Sequence, residues 1–229
     1  MKNKSKENTI SKKLIIAALS IAIALFIISG AISIPLFFRS FYYAQVDALD
    51  IHASSGYTEN EIREAFDEMM DYCMGKSDTF GTGSLAWSEE GKMHFDDCKN
   101  LFTLDKIILI VSAAFILFLV LILIKTCEDK GEAWRRFLRA GLFSGAGMLF
   151  LGGILGIIGA IDFGAFFVKF HHTFFPGKDN WLFNPAKDEI IKILPEEFFR
   201  NCAIMIVSVI VLLSVLLIIT GLRKWKSAK

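Results

Sequence analysis

Four histidines, His52, His94, His171 and His172, are the groups here that titrate near neutral pH. In the run Ser88-Glu-Glu-Gly-Lys-Met-His94-Phe-Asp-Asp97-Cys-Lys99, His94 and Asp97 lie three residues apart. On a helix that spacing puts both side chains on one face, so the carboxylate can orient the imidazole and favour its charged form. His171 continues a helical face with Phe167 and Val168. His172 points about 100° away from it, so the two neighbours do not serve one site equally. A lone surface histidine is ordinarily a spectator, and His52 takes that reading. His171 departs from it because it sits in the aromatic stretch 170–199, and His94 because it lies close to an apolar run. The chemistry on offer is acid–base catalysis by imidazole.

Sharper motifs are absent from the sequence. There is no H-E-x-x-H and no G-x-S-x-G. The long apolar runs carry no charged residue, which argues against an ion-coupled transporter. A zinc site assembled in three dimensions from the histidines and acids stays open as a minor alternative. The four cysteines have no metal-ligand spacing. Cys127 and Cys202 are isolated; Cys73 and Cys98 share one segment and either pair in an oxidising compartment or stay free. Nothing in the charge pattern suggests nucleic-acid binding.

The elements that must hold these histidines are membrane helices. Four windows, Leu14–Phe38, Ile107–Ile124, Ala140–Ile161 and Cys202–Leu222, are uncharged. Each is close to or beyond the roughly 20 residues needed to cross a hydrocarbon core. Backbone polar groups in lipid must be paired internally, so the expected fold class is an all-α integral membrane protein with four transmembrane helices. The first run is too long for a typical signal-peptide core and reads as an uncleaved anchor. Segments 1–13, 125–139 and 223–229 carry 14 Lys or Arg against 4 Asp or Glu; segments 39–106 and 162–200 carry 11 against 20. Basic excess marks the cytoplasmic side. Both tails and the 125–139 loop are expected inside, and the two acidic segments, with all four histidines, outside.

Within segment 39–106, Ile62, Phe66, Met69, Met70 and Cys73 repeat at three- and four-residue steps, an amphipathic helix over Glu59–Met74. Thr58 and Glu61 form a capping-box pattern at its start, and Gly75 a stop. Ser88–Leu101 reads as a short helix leading into the second span. The third span holds two G-x-x-x-G pairs, Gly141/Gly145 and Gly152/Gly156, suited to close helix packing within the chain or to self-association. Beyond Ile161 the helical pattern runs on to about Phe175, where Pro176-Gly177 ends it. Asp188–Leu194 reads as a short amphipathic piece at the membrane interface, and Pro195 opens the fourth span.

The run Phe170-His171-His-Thr-Phe-Phe175-Pro-Gly, then Asn180-Trp181-Leu-Phe183, Pro185, Asp188 and Pro195-Glu196, resembles the lipoprotein intramolecular transacylase (Lit) family of low-GC Gram-positive bacteria. The His94–Lys99 stretch, Gly56-Tyr57…Glu61-Ile62 and Tyr72 carry the same resemblance. The chain departs from it at Cys98, where an aliphatic residue is expected, and at Gly164, where an acidic one is common. The resemblance implies an acyltransferase that moves the sn-2 acyl chain of a diacylglyceryl lipoprotein to the α-amine of its N-terminal cysteine. It implies two essential histidines, which fall on His94 and His171, with no cofactor and no metal. Diacylglyceryl lipoproteins and membrane lipids are the expected partners. Asp97, Asn180, Trp181, Phe170, Phe174 and Phe175 are the expected substrate-binding or supporting residues. Trp181 also reads as a plain interfacial anchor. The rival readings are a membrane hydrolase or zinc-dependent amidase using the same histidines, and a non-enzymatic interaction protein using the glycine face.

Overall fold

The computed structural model describes residues 2–226, with side chains for 12–223. The lysine-rich ends of both expected tails therefore lie largely outside the described side chains. Among the described residues every regular element is helical: α1 Lys2–Phe37, α2 Arg39–Ala48, α3 Ile51–Ser55, α4 Glu59–Cys73, α5 Glu89–Thr126, α6 Lys130–Ile161, α7 Phe163–Phe174, a 3-10 turn Glu189–Ile193, and α8 Glu196–Lys226. Four of them are long and apolar enough to cross a membrane: Lys12–Phe37, Glu89–Thr126, Lys130–Ile161 and Glu196–Arg223. Large apolar side chains such as Ile110, Leu117, Phe150, Ile157 and Leu212 are exposed along them, as lipid-facing surfaces require. The chain divides into two compact units.

One unit takes the described parts of Met1–Ala31, Ile107–Gly156 and Val207–Lys229. Ile16, Leu19, Ile23, Leu119, Leu123 and Ala140 form its core. Glycines set how closely α6 and α8 approach. A Cβ on Gly145 would stand 2.7 Å from the Ser214 carbonyl, and one on Gly141 3.1 Å from Leu217. α8 answers with Gly221, whose added Cβ would meet Leu142 at 2.8 Å. The glycine face is thus used within the chain.

The second unit takes Ile32–Lys106 and Ile157–Ile206. α4 forms as its spacing dictates. Thr58 Oγ1 accepts from the Glu61 N–H at 3.3 Å, and Glu61 Oε2 accepts from the Thr58 N–H at 2.8 Å. Ile62, Phe66, Met69, Met70 and Cys73 are all buried. Tyr42 of α2 stacks on Phe66 with ring centroids 3.6 Å apart and donates its hydroxyl to the Ile193 carbonyl at 2.8 Å.

Three local expectations change. The short helix before the second span does not stop: α5 is one helix of 38 residues, about 57 Å long at 1.5 Å per residue. The helix after Ile161 does stop. Asp162 leaves helical geometry and its side chain accepts from the Ala165 N–H at 2.8 Å, so it caps α7 instead of extending α6. The piece around Glu189–Ile193 does not lay an apolar face on a membrane surface. Ile190 and Ile193 are fully buried where the turn packs on α3 and α4, in the core that includes Tyr42 and Phe66.

Candidate functional site

α5 begins on a clamp. The Ser88 hydroxyl accepts from the Gly91 N–H at 3.1 Å, which caps the helix. The same hydroxyl donates to Asp188 Oδ1 at 2.7 Å, and the Ser88 N–H donates to that oxygen at 2.8 Å. Next to it the Glu189 N–H donates to the Ala86 carbonyl at 2.9 Å, and the Ala86 N–H to Glu189 Oε2 at 3.0 Å. Asp188 is buried, and a Cβ on Gly91 would stand 2.2 Å from its Oδ1. Glycine is therefore required where Asp188 meets the first turn of α5. The next turn carries His94.

His171 is carried by the last turn of α7, which ends at Phe175 before Pro176 and Gly177, the latter at φ +72°. The two imidazoles are 77 residues apart in sequence and 5.7 Å apart between ring centroids. Both are buried, at 5% and 6% exposure. His172 is exposed and meets the edge of Trp181.

An aromatic wall surrounds the pair. Trp181 stacks on His171 at 4.5 Å and Phe167 lies 4.3 Å from it. Phe175 meets His94 edge-on at 5.0 Å, and Phe183 does so at 5.5 Å. Phe170 touches the His171 edge at 5.4 Å. Phe174, expected among the supports, packs on Phe170 at 4.7 Å and is 51% exposed. Phe183 was the missed wall residue; it stacks on Phe95 at 5.5 Å and so links the loop to α5.

Asp97 does not hold His94 as expected from the helical spacing. Its Oδ1 accepts from Lys178 Nζ at 2.5 Å and its Oδ2 from Asn180 Nδ2 at 3.3 Å. It ties the loop after α7 back to α5. Lys178 left no signal in the sequence, since its partner is 81 residues away. Trp181 is fixed by its own indole, which donates to the Lys178 carbonyl at 3.0 Å. Because a carboxylate only accepts, the Asn180 amide must turn its NH₂ to Asp97. Its Oδ1 is then buried with no hydrogen-bond partner.

The polar atoms of the two imidazoles differ. His171 Nδ1 is 2.8 Å from the Phe167 carbonyl. A carbonyl only accepts, so Nδ1 carries the proton and Nε2 of the neutral ring is a free base. Burial pushes the His171 pKa below its ordinary value, the hydrogen bond to Phe167 opposing and the neighbouring His172 assisting. His94 Nδ1 is buried without a partner, and its Nε2 lies 3.5 Å from Cys98 Sγ. Cys73 and Cys98 are both free thiols. Cys73 sits in the core 3.9 Å from the Phe95 carbonyl, its thiol pushed up to about 12 by burial. Among the described residues no three His, Cys, Asp or Glu side chains converge as a metal site requires.

Such a pair, one imidazole base beside a second imidazole, both buried among aromatic rings, can take a proton from a nucleophile and stabilise an oxyanion. The family model for the lipoprotein intramolecular transacylase Lit matches residues 17–199. The in meso structure of the membrane integral Lit from Bacillus cereus superposes with a TM-score of 0.84 at 27% identity, over 95% of this chain and 97% of that one. Two structures of that protein with one histidine replaced, by arginine or by alanine, each superpose with a TM-score of 0.80 at 26% identity. The first covers 99% of this chain and 97% of its own, the second 98% of each. No match was found among curated proteins.

Proposed function

The chain belongs to the lipoprotein intramolecular transacylase Lit family and is a multi-pass membrane acyltransferase, and we propose that His94 and His171 together carry its acyl shift at the extracytoplasmic face. The observation that carries this reading is the meeting of the two buried imidazoles at 5.7 Å inside one aromatic pocket. The substrate is a diacylglyceryl lipoprotein, whose ester and α-amine belong to one molecule. Holding them in register supplies proximity worth up to about 7–11 kcal/mol in the best oriented systems, so no enzyme-bound acyl group is needed.

The amine nitrogen attacks the sn-2 carbonyl carbon. His171 Nε2 takes the proton that the amine loses, and His94 donates to the oxyanion of the tetrahedral adduct. The bond from carbonyl carbon to glycerol oxygen then breaks, and the proton on His171 passes to that oxygen. The products are an N-acyl amide and a free glycerol hydroxyl on one molecule. An α-amine has a reference pKa near 8, so about a tenth is already neutral at pH 7 and the base need supply only moderate assistance. Asn180 Oδ1, buried and unpaired, is suited to receive the second N–H of the attacking amine. It is not suited to a substrate carbonyl, because its NH₂ is engaged by Asp97.

The test is mass spectrometry of a host lipoprotein's N-terminal peptide with and without this protein. The expected product is the N-acyl lyso form, without released fatty acid and without label from phospholipid. Free fatty acid as the main product would indicate a hydrolase, and label from phospholipid an intermolecular acyltransferase; either overturns the proposal.

A further inference from the structure

We infer that Cys98 is a positioning residue whose thiol holds His94 in the tautomer that leaves Nδ1–H as the donor offered to substrate. The inference rests on the transacylation reading above and assigns the role of the second imidazole within it. Cys98 lies one helical turn beyond His94, and its Sγ is 3.5 Å from Nε2. A neutral imidazole has one N–H and one bare nitrogen. A thiol is a weak donor and its sulfur a weak acceptor, whereas a bare imidazole nitrogen accepts well, so the better pairing is S–H toward a bare Nε2. The ring proton then resides on Nδ1.

That proton has no partner among the described residues, although His94 is only 5% exposed. A buried donor left unpaired is costly, and here the cost is relieved when an anionic oxygen enters the pocket. His171 is fixed the opposite way, with Nδ1–H on the Phe167 carbonyl and Nε2 bare. The two rings, 5.7 Å apart, thus present one base and one donor to the same space. An aliphatic residue in place of Cys98, as the family resemblance leads one to expect, leaves His94 free to populate both tautomers. Only the competent fraction then acts, and the loss equals that fraction. The thiol adjusts the site and is not itself a requirement of the reaction.

The test uses the full-length protein with ¹⁵N-labelled histidine in detergent micelles. Long-range nitrogen–proton correlations report each ring's tautomer, and the His94 signals are assigned by their loss in His94→Gln. The expected result is Nδ1–H for His94 in the wild type and in Cys98→Ser, and a mixture in Cys98→Val. Turnover by Cys98→Val should fall about threefold to tenfold in kcat with KM unchanged, since the donor acts in the transition state. That is far less than the roughly 10⁴-fold loss of a wholly wrong tautomer. Cys98→Ser should restore it. An Nε2–H ring in the wild type overturns the inference, even where Cys98→Val folds poorly. So does an unchanged tautomer or undiminished kcat in a folded Cys98→Val. Absence of N-acyl product from the wild type overturns the transacylation reading instead, and the tautomer measurement tells the two failures apart.

Discussion

At the scale of single residues, the division of labour between the histidines can be tested by what each ring touches. His171→Ala removes the free Nε2 proposed as base, so formation of lyso-form lipoprotein should fall about 10²–10⁴-fold. His94→Ala should be as damaging, and the double variant little worse, because groups that act as one unit do not add. His172→Ala should keep most of the activity, since that ring is exposed and lies against the edge of Trp181. Measuring the lyso product of each variant at equal membrane expression decides the matter, and an inactive His172→Ala would misassign the base. A pH effect follows from burial. The folded-state pKa of His171 lies below the ordinary value near 6.5. Its neutral form therefore persists to lower pH, and its limb in kcat/KM should lie under 6.5, while the substrate amine gives a separate rise near 8. The unfolded chain binds the proton more readily, so the stability gained from a neutral His171 is present above about 6.5 and is lost as pH falls through the folded pKa. A titration of activity with a diacylglyceryl peptide that showed no limb below 6.5, the amine rise near 8 set aside, would show this to be mistaken. The separation of His171 from His172 was legible because helical rotation is a property of spacing alone. The true partners of Asp97 were not, because Lys178 and Asn180 reach it from another part of the chain.

At the scale of elements, the position of His94 depends on how α5 starts. The carboxylate of Asp188 holds Ser88 through two hydrogen bonds, and Gly91 leaves it room. Gly91→Ala should therefore act through geometry: its methyl must displace Asp188, at about 1–3 kcal/mol for overpacking. Asp188→Ala should cost a similar amount by leaving the half-buried Ser88 donors without their acceptor. Both should lower the melting temperature in detergent and the rate together. Thr58→Ala, which removes the cap at the start of α4 and touches neither histidine, should cost about 1 kcal/mol and leave kcat unchanged. Thermal unfolding with turnover on the three variants separates these cases; a Thr58→Ala enzyme slowed like Gly91→Ala would mean that global stability sets the rate. The capping box and the buried face of α4 were readable because every signal lies within one helix. The burial of Ile190 and Ile193 was not, since it is decided by Tyr42 and Phe66 from distant elements. Nor was the unbroken α5: charges near its start look like an interruption, yet no proline follows and Gly91 falls in the first turn, so the helix runs on into the apolar span.

At the scale of the whole molecule, four long apolar helices make the chain multi-pass, as in the membrane-integral Lit structure it resembles. The number of spans was legible because it depends on uncharged length alone. The use of the glycine face was not decided by sequence, because G-x-x-x-G suits a neighbour in the chain as well as a second copy. Gly145 and Gly221 find Ser214 and Leu142 in the same chain. Orientation is the remaining property of the whole chain, and the charge balance predicts it. The 125–139 loop is basic and belongs inside by the positive-inside rule. The segment bearing His171 belongs outside, where lipidated N-terminal cysteines are found under the proposed function. The check is labelling of intact cells with a membrane-impermeant thiol reagent, in a background with all four native cysteines replaced by serine. A cysteine in place of exposed Lys187 should label at once, and one in place of exposed Lys130 only after permeabilisation. The reverse pattern would put the imidazole pair on the cytoplasmic side. The proposed reaction could not then proceed on a mature lipoprotein, whatever the geometry of the site.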